Sequence, residues 1–333
     1  MIGSTTRLAP RSAALPYFSR PATSGTLGLG VATSSTFLRD AWLIAGFDLR
    51  ESIRTRRALV LALLYLLVAS ITSYVYVEVV RLAQQATSEV IGGMADTGDK
   101  VAAAAAAGAA QSAGYTGLLY VIAGGDPQIA GHLATYPPMV LVFAWFSLGA
   151  LPWLIALTSY DLVAGDLHLR TVRFVALRTS RGAFVLGKLL SQVLLVALIA
   201  GLGMIPVLAI GGAYLPRFDV LDTFLALLRA WPILALFAFA VLGPVACASQ
   251  LVRGPGAARA LAIVFLFALW VLGIWAVFAP DPLSLLRWLT PFAYKTQFFH
   301  PDLLHRLMNA AGCAALCAGY SWIGFQVFRR RDL

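Results

Sequence analysis

Long apolar runs constrain this chain more than any other feature of its sequence. A helix rises 1.5 Å per residue, so about 20 apolar residues cross a hydrocarbon core about 30 Å thick. The chain is 60% hydrophobic and 12% charged, whereas soluble domains average about 25% charged residues. The sequence therefore predicts an all-α polytopic membrane protein with a six-helix transmembrane domain over residues 58–333. The predicted spans are 58–80, 138–160, 184–210, 223–249, 258–280 and 307–328.

The distribution of Lys and Arg predicts how these spans are oriented. The segment before the first span, the loops after spans two and four, and the C-terminus carry 18 of the 25 basic residues, and the other loops carry six. Cytoplasmic loops are enriched in Lys and Arg, so both termini are expected in the cytoplasm. The same bias explains the net charge of +10. Because the cations are scattered over separate loops, no nucleic-acid partner is expected.

Two segments precede the first span. Residues 1–35 are rich in Ser, Thr, Gly and Pro, which favours a disordered cytoplasmic tail. An organellar transit peptide has a similar composition, but the prolines of this segment would break its amphipathic helix. Residues 36–57 are expected to form an amphipathic helix lying on the membrane surface. One face of that helix carries an apolar stripe of Leu38, Ala41, Trp42, Ala45, Leu49 and Ile53. The expected location is the bacterial inner (plasma) membrane, with membrane lipid as a partner.

Two segments are expected on the outer side. Residues 81–137 form a long first loop that contains an alanine run at 101–110. A seventh span there would invert everything after it, which the charge distribution opposes. Residues 281–306 are amphipathic and aromatic, and two interpretations stay open: a partly re-entrant or surface-lying element, or an ordinary aromatic belt.

The loop between spans two and three, residues 161–183, is the internal segment most clearly placed in water, because it is basic and polar between two apolar runs. Just after it, Gly182 to Lys188 reads GAFVLGK, which matches the first seven positions of a phosphate-binding loop. Leu189 stands where Ser or Thr would hold magnesium, so we interpret the match as coincidence and expect no bound nucleotide or other cofactor. Lys188 is interpreted as an anchor that snorkels to the membrane edge.

The sequence lacks the features of a membrane enzyme or an ion-driven carrier. The four histidines fall in loops, and the predicted span centres carry no Asp, Glu, Lys or His. The three cysteines lie in apolar runs without a nearby His or carboxylate, which favours packing residues over a metal site. The stripe Ala311, Ala315 and Gly319 would allow close helix contact, either within one chain or between two copies. No catalytic residue is predicted, and the energy is expected to come from outside the chain.

The 161–188 stretch resembles the permease subunits of ATP-binding-cassette (ABC) exporters of the second type. Those subunits have an acidic residue, then Gly-Thr, a short apolar run, Pro-x-Ser-Arg, and Gly-Lys opening the third span. This chain has Arg170 where Gly is usual and Arg178 where Pro is usual. The matching residues are Asp166, Thr171, Ser180, Arg181, Gly187 and Lys188; the surface helix before span one, Leu289-Thr290-Pro291 and the terminal Arg-Arg-Asp-Leu add to the likeness.

The resemblance implies a partnership with ATPases and a role for the loop. Two permease chains, a second copy of this one or a relative, would pair with two cytoplasmic ABC ATPase subunits and export a substrate by alternating access. The loop would act as the coupling helix that docks on the ATPase, so this chain would bind no ATP and would not be an enzyme. The residues expected to couple to the ATPase are Asp166, Arg170, Thr171, Arg173, Arg178, Ser180 and Arg181.

Two other functions remain open from the sequence. A membrane scaffold would transmit ATPase motion to an extracytoplasmic partner through residues 81–137. An integral-membrane transferase would be active without any ATPase.

Overall fold

A computed structural model of the chain describes residues 34–94, 115–117, 119–168, 179–215 and 218–330. Most of the predicted tail and the alanine run at 101–110 lie outside these residues. In the described part the α-helices include α1 Ser34–Arg54, α2 Arg57–Met94, α3 Pro127–Leu133, α4 Pro138–Thr158, α5 Ala164–His168, α6 Arg181–Leu202, α7 Met204–Tyr214, α8 Val220–Leu251, α9 Pro255–Phe278 and α10 Leu303–Arg329. Residues 115–117 and 119–122 are helical as well. Short 3-10 helices, Leu283–Leu289, Pro291–Tyr294 and Gln297–Phe299, connect α9 to α10.

Six helical segments of the described chain are long and apolar enough to cross a membrane. This confirms the predicted all-α polytopic fold with six spans. The orientation of the spans stays a prediction. The spans are Ala58–Gln85, Pro138–Thr158, Arg181–Tyr214, Val220–Leu251, Pro255–Phe278 and Leu303–Arg329.

The third span consists of two helices, α6 and α7, that meet at Gly203. A Cβ atom at Gly203 would lie 2.4 Å from the ring of Tyr65 in α2, so only glycine fits at this junction. The Tyr65 hydroxyl donates to Ser147 of α4 at 2.9 Å. Pro206 falls in the first turn of α7, where its missing N–H leaves no hydrogen bond unmade.

Helix α8 lies at the centre of the bundle and packs against α4, α6, α9 and α10. Its closest neighbour is α10: a Cβ atom at Gly243 would lie 2.6 Å from the Cα of Cys317. Cys247, Cys313 and Cys317 are buried free thiols, and the backbones of Cys247 and Cys317 lie at this contact. The predicted small-residue stripe of α10 does not make the contact, because Ala311, Ala315 and Gly319 are exposed in this chain.

Helix α1 packs on the protein through a narrow row of small and polar side chains. Ala41, Ala45, Asp48 and Ser52 recur at intervals of four, three and four residues, and they are the buried side chains of the helix. They face α6. Small side chains on this face let the backbones of the two helices approach closely. Three of the four large members of the predicted stripe point away from the protein: Leu38, Trp42 and Ile53 are exposed by 62, 61 and 58%. The fourth, Leu49, is partly buried against the core.

Two segments pack at the end of the bundle opposite the contact between α1 and α6. The 3-10 helices between α9 and α10 pack against both and bury Tyr294, Phe298 and Phe299. Asp126 caps the start of α3, and its carboxylate accepts hydrogen bonds from the backbone N–H groups of Gln128 and Ile129 at 2.8 and 3.4 Å.

Candidate functional site

Lys188 in the second turn of α6 lies between two carboxylates from different elements. Its Nζ is 2.5 Å from Asp48 Oδ1 of α1 and 2.9 Å from Asp166 Oδ2 of α5. The Lys188, Asp48 and Asp166 side chains are only 15, 10 and 25% exposed. The hydroxyl of Ser191, one turn further along α6, hydrogen-bonds the other oxygen of Asp48. These four residues are called the Lys188 cluster below.

The interpretation of Lys188 as a snorkelling anchor is wrong. A snorkelling lysine extends its ammonium toward water and headgroups, whereas this one is held inside the protein by two carboxylates. A buried charge is tolerated when it is paired and hydrogen-bonded, and Asp48, Asp166 and Lys188 satisfy one another in this way. The pairing joins α1, α5 and α6 at one point.

The short helix α5 is also attached to α8. The Ser249 hydroxyl oxygen accepts hydrogen bonds from the backbone N–H groups of Val163 and Ala164, at 2.9 and 3.0 Å. These N–H groups open a helix of only five residues, which is too short to be stable by itself. Ser249 is completely buried, so α8 holds the start of α5 in place.

Further contacts fix the segment before α5. The Ser159 hydroxyl donates to the Gln192 side-chain oxygen of α6 at 2.9 Å. The Arg259 guanidinium, near the start of α9, donates to the Tyr160 hydroxyl at 2.6 Å and lies 4.2 Å from the centre of its ring. Residues 159–168 therefore contact four helices of the bundle: α1 through Lys188, and α6, α8 and α9 directly.

The structure describes three of the seven residues expected to couple to an ATPase. Asp166 belongs to the Lys188 cluster. Ser180 caps α6, accepting a hydrogen bond from the Ala183 N–H at 3.2 Å. The Arg181 side chain donates to the Arg329 carbonyl at the end of α10 at 2.9 Å. The other four, Arg170, Thr171, Arg173 and Arg178, lie outside the described residues.

Sequence reasoning missed Asp48, Ser191 and Ser249. For Asp48 a signal existed: a carboxylate sits on the same helix face as Ala41, Ala45 and Ser52, where a buried acid needs a cationic partner. Ser191 and Ser249 gave no such signal, because a serine in an apolar helix usually bonds to its own backbone.

The resemblance to a phosphate-binding loop has a structural explanation. Gly182 to Lys188 is helical within α6, so these residues form no loop around a phosphate. A Cβ atom at Gly187 would lie 2.6 Å from the Ala41 carbonyl oxygen and 2.8 Å from Ile44 Cβ. Gly187 thus allows α1 and α6 to approach each other closely. In the described part of the chain, no group of three or more His, Cys, Asp and Glu side chains could hold a metal ion.

The chain thus has six apolar spans and, in the loop after the second span, the short ion-paired helix α5. Buried contacts join this loop to the spans, which is the arrangement of a membrane-embedded subunit. A family model described as ABC-2 family transporter protein matches residues 42–333, and the chain belongs to this family. No curated protein gives a significant match.

Membership confirms the resemblance seen in the 161–188 stretch. The chain is a multi-pass membrane permease of an ABC transporter, and its location in the cell membrane agrees with the prediction. Members of this family pair with ABC ATPase subunits, which normally carry the catalysis.

Proposed function

We propose that this chain is the permease subunit of an exporter, and that its 161–183 loop receives the motion of a cytoplasmic ATPase. One observation carries the proposal: Lys188 joins Asp166 of the loop to Asp48 of α1 from within the third span. A movement of α5 must therefore displace both the third span and the surface helix, or break a buried ion pair.

The strength of this linkage follows from its surroundings. Ion pairs shielded from water are stronger than exposed ones, and removing one partner leaves an uncompensated buried charge. Ser249 adds a second connection, from the start of α5 to the central helix α8. A movement of α5 would thus be transmitted to the membrane-spanning bundle through two contacts, the Lys188 cluster and Ser249.

The proposal includes the direction of transport and the assembly of the permease with its ATPase. The basic loop would face the cytoplasm, where nucleotide is hydrolysed, according to the positive-inside bias. Two permease chains would pair with two ATPase subunits and open alternately to the two sides, so that ATP binding and hydrolysis drive the substrate outward. The apolar face of α1, with Leu38, Trp42 and Ile53 exposed, suits a helix lying in the lipid surface.

Docking is tested by reversing the basic charges of the loop. Arg173→Glu, Arg178→Glu and Arg181→Glu are introduced together, and the chain is co-purified with its ATPase. We expect loss of the complex, because like charges would replace complementary ones at the contact. The matched control reverses Arg81, Arg229 and Arg287, which lie outside the loop, and should keep the complex. Unchanged co-purification of the loop variant would sink the docking role.

Transmission is tested separately with Asp166→Asn, which removes one carboxylate of the Lys188 cluster and keeps the size of the side chain. The complex should still form, but the permease should no longer stimulate ATP hydrolysis. Wild-type stimulation in this variant would show that the cluster does not transmit the motion.

A further inference from the structure

A large cavity lies at the end of the bundle opposite the Lys188 cluster. It has a volume of about 930 Å³, within the range of about 300 to 1,000 Å³ typical of small-molecule sites. Its walls come from α4, α9, the turn before α3 and the 3-10 helices that follow α9. It belongs neither to the proposed coupling loop nor to the Lys188 cluster.

Two cations line the cavity. The Arg287 guanidinium lies 4.8 Å from the centre of the Trp288 ring, and Lys295 Nζ lies 4.5 Å from that of Trp145. Among the described residues neither cation is ion-paired to a carboxylate. Asp126 also lines the cavity, but its carboxylate already accepts the N–H groups that open α3. The polar end of the cavity therefore carries more positive than negative charge.

The remaining walls are aromatic and apolar. Trp153 of α4 and Trp270 of α9 line the cavity from within their spans, whereas Arg287 and Lys295 lie outside the spans. Gly149 of α4 also lines the cavity and leaves room there, because a Cβ atom at this position would meet nothing within 4 Å. Such a site offers two cations at one end and flat aromatic surfaces along its length.

We propose that this cavity binds an amphipathic anion, with its acidic group between Arg287 and Lys295 and its apolar body along Trp153, Trp270 and the space at Gly149. Burial lowers the pKa of Lys295 to about 8, and a bound anion would offset the cost of burying its charge. The anion has two sources, an acidic membrane lipid or a soluble solute. That the anion is the transported cargo rests on the proposed function; its binding does not.

Binding is measured on the purified full-length chain in phosphatidylcholine nanodiscs, without any ATPase. The probe is 11-bromoundecanoate, whose bromine quenches tryptophan fluorescence, and the uncharged probe 11-bromoundecanol reports partition into lipid. We expect saturable quenching by the acid and only unsaturable quenching by the alcohol. Because no ATPase is present, failure of the coupling proposal would leave this result unchanged.

Charge variants test the acidic end of the site. Arg287→Gln with Lys295→Gln should weaken binding by about tenfold or more, since bonds to charged groups contribute about 1.5 to 3 kcal/mol. Arg81→Gln with Arg229→Gln removes the same charge outside the cavity and should bind as the wild type. The pair Arg287→Lys with Lys295→Arg keeps both charges and should retain binding. Equal affinity in the charge-removed and control variants would overturn the proposal.

A cavity-filling variant tests the apolar end. Gly149→Leu places a side chain in the open space and should abolish saturable quenching. Gly131→Leu is the matched control: Gly131 is also helical, a Cβ atom there would meet nothing within 4 Å, and the residue does not line the cavity. Unchanged binding in Gly149→Leu would overturn the proposal.

The source of the anion is tested with brominated phosphatidylglycerol in the nanodisc. Saturable quenching that competes with 11-bromoundecanoate would support an acidic lipid as the ligand. Binding of 11-bromoundecanoate without any effect of the lipid would support a soluble anion.

Discussion

The ammonium of Lys188 lies 2.5 Å from the carboxylate of Asp48, although 140 residues separate them in the chain. This contact fastens the helix before the first span to the third span. Asp166 shares the same ammonium at 2.9 Å, so the loop between spans two and three is fastened at the same point. One lysine therefore links three elements at a single point.

Removing either charge of the Lys188–Asp48 pair should destabilise the protein. Lys188→Met or Asp48→Asn alone should lower the free energy of unfolding by about 3 kcal/mol, because a buried charge loses its partner. The double variant should be less destabilised than the sum of the two. The three free cysteines are all buried, so a thiol-reactive dye can follow unfolding during heating. Glu78→Gln is the control: it breaks an exposed ion pair with Arg81 at 4.0 Å and should change stability by less than about 0.5 kcal/mol.

Gly187→Ala should separate α1 from α6. The added methyl would lie 2.6 Å from the Ala41 carbonyl oxygen, and backbone atoms cannot move aside without shifting the helix. We expect a loss of about 1 to 3 kcal/mol, as for other overpacked contacts, measured by the same dye assay. Gly46→Ala is the matched control in α1, because a Cβ atom there meets nothing within 4 Å. A stability equal to that of the control would contradict the close contact.

Ser249→Ala should loosen the start of α5. Two buried N–H groups, those of Val163 and Ala164, would lose their acceptor, and each unsatisfied group costs about 1 to 3 kcal/mol. Hydrogen exchange of residues 161–168 should accelerate, while exchange elsewhere stays unchanged. Ser70→Ala removes a hydroxyl that bonds only the Leu66 carbonyl of its own helix and should leave exchange in 161–168 unaffected. Protection of α5 in Ser249→Ala would show that another contact holds it.

Binding of 11-bromoundecanoate should weaken as the pH rises from 7 to 9. Burial lowers the pKa of Lys295 to about 8, so its ammonium is largely protonated at pH 7 and largely neutral at pH 9, while the carboxylate of the probe stays ionised. The affinity should fall by up to about tenfold. The other ionisable groups lining the cavity are Asp126 and Arg287; the lining residues of α4 and α9 include none.

Lys295→Arg provides the control for this pH dependence. Arginine keeps its charge throughout the range, so the affinity of this variant should not change between pH 7 and 9. A pH-independent affinity in the wild-type chain would argue against Lys295 as a ligand of the anion.

Much of the fold was predictable because its signals are local. Span positions follow from runs of apolar residues, and the family follows from an ordered pattern around Asp166, Ser180, Arg181 and Gly187. The side of α1 that packs on the protein was not predicted from the sequence. Its apolar stripe contains both exposed and buried residues, and hydrophobicity alone does not separate Trp42, which is exposed, from Ala45, which is buried.

The sequence by itself determined that this protein is a helical bundle in a membrane, because a hydrocarbon layer requires long apolar helices whose backbone bonds are satisfied internally. It also marked the loop between spans two and three as a segment placed in water. Only the tertiary structure decided that Lys188 is a buried partner of Asp48 and Asp166, and that Gly187 serves helix contact rather than phosphate. Such pairings depend on which helices become neighbours, and residues 140 positions apart carry no local signal of their meeting.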